Sequence, residues 1–90
     1  MKELKDAIIP ILLSYGVKRA AFFGSYARGD YDEKSDIDLL FEPPAGMGLS
    51  VVDLKRDLEE KLKKKVDLVS FNGINKYLRE SILSHQIKLI

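Results

Sequence analysis

Residues 22–41, FFGSYARGDYDEKSDIDLLF, limit what this chain can fold into more than any other stretch. An apolar run stops at Gly24-Ser25, a polar turn rich in glycine and charge follows, and a second apolar run carries Asp36 and Asp38. Side chains on a strand alternate between faces, so the two acids are expected on one face, while Ile37 and Leu39 turn to the core. Two neighbouring carboxylates repel each other unless a positive charge lies between them. A divalent cation held by oxygen ligands is the usual partner of such a pair. A Gly-Ser turn just ahead of a helix presents backbone N–H groups to the phosphates that accompany such cations.

Around this stretch the chain alternates helical and strand patterns. Leu4, Ile8, Ile11, Leu12 and Tyr15 recur at helical spacing over residues 3–15, with Gly16 as the residue that closes the helix. Pro10 should either kink that helix or delay its start. Residues 17–23 read as a strand ended by Gly24, and residues 25–28 as one helical turn with Ser25 as cap and Gly29-Asp30 as stop. A second strand is expected over 35–41 and a loop over 42–48. A second helix is expected to open on the capping-box pattern Ser50-x-x-Asp53, turning Val51, Leu54, Leu58 and Leu62 inward. Lys63, Lys64 and Lys65 end it as a solvated basic run. A third strand covers 66–71, a third helix runs from a cap near Asn75 to about Ser84 with Leu78 and Ile82 inward, and 86–90 is a last strand. The fold class is therefore α+β with alternating elements: a mixed sheet with helices packed on at least one face.

Composition narrows the function classes. Ninety residues suffice for one domain, residues 1–90, and 46% hydrophobic with 32% charged residues is a globular balance. Cysteine is absent, so disulfides and thiolate metal sites are excluded. No apolar run approaches the ~20 residues that span a bilayer, and Met1-Lys2-Glu3 opens no signal-peptide pattern, so a cytoplasmic protein is expected. A formal net charge of +1 argues against bulk capture of nucleic acid.

Asp67 is the third acid of interest, because it sits in the otherwise apolar Val66-Asp67-Leu68-Val69, where an unpartnered carboxylate is costly to bury. If its strand pairs beside that of Asp38, the three acids would gather at one edge of the sheet and could bind two Mg²⁺ ions, ~3.5–4 Å apart. Each feature alone has an ordinary reading: a plain turn, solvated surface acids, or an edge-strand charge that discourages aggregation. Their combination in strands that otherwise read as core is what singles them out.

Gly24-Ser25, Ala27-Arg28-Gly29, the run Ser35-Asp36-Ile37-Asp38-Leu39-Leu40 and the lone Asp67 together resemble the DNA polymerase beta-like nucleotidyltransferase superfamily. More closely, they resemble the minimal nucleotidyltransferase (MNT) family, over essentially the whole chain. The resemblance implies that Gly24 and Ser25 hold a nucleoside triphosphate, that Asp36 and Asp38 ligate two Mg²⁺ ions, replaceable by Mn²⁺, and that Asp67 completes the metal site and helps take the proton of the attacking hydroxyl. Arg28 either reaches triphosphate oxygens or is solvated, and Ser35 either bonds phosphate or begins its strand. Tyr26 and Tyr31 flank this region as surface tyrosines or base-stacking rings, and His85 is expected to have no catalytic role.

MNT proteins commonly pair with HEPN ribonuclease toxins, some by transferring AMP from ATP to a tyrosine of the toxin. The resemblance thus implies an Mg-dependent protein adenylyltransferase acting as an antitoxin, in a hetero- or homo-oligomer. A non-catalytic antitoxin that works by contact, and a transferase acting on a small molecule, are the alternatives.

Overall fold

The computed structural model describes residues 2–32, 34–74 and 76–90, and only the backbone of Lys76, Tyr77, Leu78 and Ser81. The spacing of Leu4, Ile8, Ile11, Leu12 and Tyr15 produces helix α1, Lys2–Ser14, with Ile8 and Leu12 fully buried and the other three packed around them. Pro10 lies inside α1 and does not delay its start. Pro10 and Asp6 are both exposed, so the carbonyl deprived of its donor lies on the outward side, where water can replace it. The helix closes as predicted at Gly16: the Gly16 N–H donates to Leu13 O at 3.0 Å and the Val17 N–H to Leu12 O at 3.0 Å. This is the Schellman pairing. It uses Val17 as a helix stop, which is why strand β1 covers only Ala20–Phe23 and not 17–23.

The remaining elements are α2 (Ser25–Arg28), β2 (Ile37–Phe41), α3 (Ser50–Leu62), β3 (Val66–Ser70), a 3-10 turn (Phe71–Gly73), α4 (Lys76–Ser84) and β4 (Ile87–Lys88). β2 starts two residues later than expected because Ser35 is held in a turn, its N–H on Asp32 O at 3.1 Å and its hydroxyl accepting from the Asp32 N–H at 2.9 Å. The Ser50-x-x-Asp53 capping box does not form. Leu49 occupies the cap position with no side-chain bond, and the first N–H groups of α3 find the carbonyls of Met47, Gly48 and Leu49 instead. Asp53 pairs with Arg56 at 3.2 Å. Val51, Leu54, Leu58 and Leu62 do face the core, with Leu54 and Leu58 fully buried. The strand expected over 66–71 loses Phe71 to the 3-10 turn, which the Ser70 hydroxyl caps by accepting from the Gly73 N–H at 3.0 Å. The expected cap at Asn75 and the inward side chain of Leu78 lie outside the described residues, whereas Ile82 does pack inward.

The sheet has four strands in the order β3-β2-β1-β4 and is mixed, as expected. β1 pairs antiparallel with both β2 and β4, and β2 pairs parallel with β3 through the α3 crossover that a parallel pair requires. Helices cover both faces. Phe22, Ile37, Leu39, Phe41 and Val66 point to α1 and α3, while Ala21 and Leu40 point to Phe71, Ile74 and the α4 residues Ile82 and Leu83. The Tyr15 hydroxyl donates to Asp57 and ties the end of α1 to α3; that bond, with burial, raises the Tyr15 pKa. No described helix is long and apolar enough to cross a membrane.

Gly16 has φ +82°, and a Cβ placed there meets nothing nearer than Pro44 Cγ at 3.7 Å, an ordinary contact. The cost of Gly16→Ala is therefore conformational, about 1–2 kcal/mol. Thermal unfolding should show a fall of several degrees, and an unchanged midpoint would refute the Schellman closure as the stop of α1.

Candidate active site

Alternation along the strands produces two cross-strand rows on the α4 face of the sheet. One is apolar, Ala21, Leu40 and Val69, and lies under Phe71, Ile74, Ile82 and Leu83. The next row, at the end of the sheet, is Phe23, Asp38 and Asp67, in direct register across β1, β2 and β3. The pairing anticipated for Asp67 is thus present, with neighbouring strands separated by the usual ~4.8 Å. Asp36 lies one residue ahead of β2 and is exposed, and its charge reaches Asp38. Asp38 is half-buried and Asp67 is exposed on the outer strand.

Two hydrogen bonds fix this register. The Ile37 N–H donates to Lys65 O at 2.9 Å, and the Val66 N–H donates to the Glu59 carboxylate of α3 at 3.0 Å. The Asp38 carboxyl is pushed above the ordinary carboxylate range, first by burial and then by the negative charges of Asp67 and Asp36; Arg28 partly opposes the shift.

Gly24 is the residue the strand-to-helix turn depends on. It has φ +69° and caps α2, so the cap is Gly24 and not Ser25. A Cβ at Gly24 would run into the Asp38 carboxylate, with Asp38 Cγ only 3.1 Å away. The turn and the acid are therefore packed one on the other, and only glycine permits both the backbone angle and the approach. Within so short a helix the N–H groups of Ser25, Tyr26 and Ala27 have no intrahelical acceptor. Arg28, at the end of the turn, is exposed and holds Asp30 at 3.3 Å. Gly29, in the left-handed conformation, ends the turn as expected.

Other sites differ from the sequence reading. Ser35 is engaged with Asp32 in the turn before β2 and does not begin the strand. Tyr26 is a core residue, 3% exposed, stacked with Phe22 at 5.8 Å between ring centroids and with Tyr31 at 4.4 Å. His85 lines a cavity of about 260 Å³ together with Phe23, Gly24, Arg28 and Ile82, which puts it beside the turn. Nothing local in the sequence signals this, since His85 reaches Gly24 only because the segment after α4 returns to pair with β1.

Among the described residues, no three acidic or histidine side chains are gathered closely enough to hold a metal ion as they stand. The chemistry of the donor set nonetheless fits a hard divalent cation. Asp36, Asp38 and Asp67 offer only carboxylate oxygens, and the repulsion that raises Asp38 is what a cation would relieve.

The fold is that of a nucleotidyltransferase. The chain belongs to the polymerase beta nucleotidyltransferase family, whose model matches residues 6–90. It is 47% identical over 91 residues to a Methanocaldococcus jannaschii protein named among the protein adenylyltransferases, across 100% of this chain and 98% of that one. A solved structure described as a minimal nucleotidyltransferase matches with TM-score 0.81 at 37% identity, covering 96% of this chain and 89% of that one. The fold also matches a chain from the complex of a tri-AMPylated Shewanella oneidensis HEPN toxin with its MNT antitoxin, with TM-score 0.75, 21% identity and coverage of 99% and 71%.

The raised Asp38 sets a pH dependence. The folded state binds more protons than the unfolded chain between the unfolded pKa, ~3.9, and the higher folded value, so this acid lowers stability as pH rises through that window, and the penalty persists above it. Urea unfolding of the metal-free protein and of Asp38→Asn should show the variant gaining on the native chain from pH ~4 upward. Parallel curves would contradict the raised Asp38 pKa that burial and the neighbouring acids produce.

Proposed function

We propose that this protein transfers AMP from ATP to a hydroxyl of a partner protein, with pyrophosphate leaving. The observation that carries the reading is the packing of Gly24 against Asp38, with Asp67 in register beside it: a glycine turn with unpaired backbone N–H groups and a carboxylate pair share one end of the sheet. In this reading Gly24 and Ser25 receive the triphosphate, and Arg28, which lines one cavity with Gly24, meets its phosphate oxygens. Asp36, Asp38 and Asp67 would hold Mg²⁺, which on binding supplies neutralisation of phosphate charge. The acceptor oxygen attacks the α-phosphorus, the bond from that phosphorus to the β-phosphate bridging oxygen breaks, and pyrophosphate departs with the electron pair. Asp67, exposed on the outer strand, has the open side from which an acceptor approaches and takes the hydroxyl proton. Positioning and electrostatics suffice for this chemistry, with no covalent enzyme intermediate.

The name of the M. jannaschii relative supports AMP as the group transferred and a protein as its acceptor. The HEPN toxin of the Shewanella complex is the model for that partner. Leu49 and Val52, 87% and 60% exposed at the start of α3, add apolar surface suited to an interface.

Mg²⁺ with ATP should raise the melting temperature by mass action, corresponding to ~2.7 kcal/mol at a hundredfold excess over Kd. Asp36→Asn combined with Asp38→Asn should abolish the rise, and an equal rise in the double variant would sink the metal site. For the reaction itself, a HEPN protein encoded beside this chain is incubated with it and ATP, and the intact partner is weighed. A gain of one or more AMP units, lost in Asp67→Asn, is the expected result. A partner that is inhibited yet unmodified would replace transfer with neutralisation by contact.

A further inference from the structure

The opposite end of the sheet has a different chemistry. A cavity of about 610 Å³ opens there, on the α4 side, lined among others by Lys18, Arg19, Ala21, Glu42, Phe71 and Lys88. Its origin is in the sequence. β1 contributes alanine at position 21, whose side chain ends at Cβ, while Lys88, its register partner on β4, is long. Arg19 does not hang free: its guanidinium carbon lies 4.1 Å from the centroid of the Phe71 ring, a cation–π contact that holds it over the cavity. Lys18, Arg19 and Lys88 are exposed, and among the described residues none has an ion-pair partner. Three cations against the single acid Glu42 surround one concavity in a chain of net charge only +1.

The cavity adjoins β4, the edge strand, whose outer side has no strand partner among the described residues. We propose that the cavity and this edge form a docking site for an extended, acidic segment of a partner polypeptide. Its backbone would add along Ile87–Lys88, and its carboxylates would meet Arg19, Lys18 and Lys88. Main-chain pairing at a free edge supplies affinity, and side-chain pockets supply selection. A planar guanidinium already fixed by stacking loses little freedom when it takes a carboxylate in a two-pronged contact. RNA fits less well. Single-strand binders stack bases on open aromatic rings along a basic track. Here the one aromatic ring in the lining, Phe71, is covered by Arg19 and has no open face on which a base could stack.

The site is independent of the transfer reading and is tested without nucleotide. A fluorescein-labelled oligoglutamate peptide is titrated with the full chain at low salt and followed by anisotropy, with ¹⁵N NMR to locate the contact. Saturable binding is expected, with amide shifts clustered at residues 18–21 and 86–90. Arg19→Glu combined with Lys88→Glu should weaken it at least ~10-fold. Lys55→Glu with Lys61→Glu, the same charge change on exposed positions of α3, should leave it within ~3-fold. If the reversal variant does not melt cooperatively, Arg19→Gln with Lys88→Gln takes its place. The proposal is overturned by an equal loss in the α3 control, by shifts centred on residues 24–38, by tighter binding of oligouridylate than of the peptide, or by no binding.

Discussion

The parallel pairing of β2 with β3 is the constraint on which the rest of the structure depends, because a slip of one residue would move Asp67 to the other face and leave Asp38 without its neighbour. Parallel strands cannot be joined by a tight turn, so the register is set by α3 and by the bonds at its exit. Leu54 and Leu58 fix the rotation of the helix on the sheet, and Glu59 then lies where its carboxylate takes the Val66 N–H at 3.0 Å. The acids themselves work against this arrangement, since burial and both neighbouring charges disfavour the ionised Asp38. What holds the strands together is the apolar surface in the same elements: Ile37, Leu39 and Leu40 are all fully buried. Two faces of core thus stabilise one end of the sheet that, left alone, would separate.

Much of this is legible in the sequence, and what is not has identifiable physical causes. Apolar periodicity marks the longer helices and the strands, and the inward faces of α1 and α3, because burial leaves its period in the chain. The boundaries erred where a backbone group found a partner that periodicity does not record. Val17 closes α1, Ser35 belongs to a turn with Asp32, and Phe71 enters a 3-10 turn capped by Ser70. Ser50 matches a capping box, yet it is already the first residue of α3, and the N–H groups of Ser50, Val51 and Val52 go to backbone carbonyls of the preceding turn. In the site, Asp38 and Asp67 were readable as anomalies in apolar strands. Asp36 lies one step ahead of the strand, where alternation no longer fixes a side chain's face. Tyr26 was misjudged because a tyrosine in a four-residue helix gives no period by which to assign it inward.

Residues that depend on long-range closure had no signal at all. His85 joins the turn cavity and Lys88 joins the cationic one only because β4, two residues long, pairs with β1. That short pairing is carried as much by Leu89 and Ile90, whose N–H groups both reach the Ala20 carbonyl at 2.9 and 3.2 Å, as by the strand itself. Ala20 is accordingly the point where the C-terminal segment is tied to the sheet.

The same alternation that separates the core into two layers also separates charge along the sheet. On the α4 face, acids occupy the end where β1 runs into the Gly24 turn, and cations occupy the end where β1 begins. Between them lies the apolar row of Ala21, Leu40 and Val69 under Phe71 and Ile74. That row separates the acids from the cations, which are too far apart along the sheet to pair, so each end keeps its own charge. Gly24 then decides how the acidic end is used. Because no side chain can stand between the turn and Asp38, whatever the turn's backbone N–H groups receive lies against the carboxylates, and that proximity is built into one backbone angle.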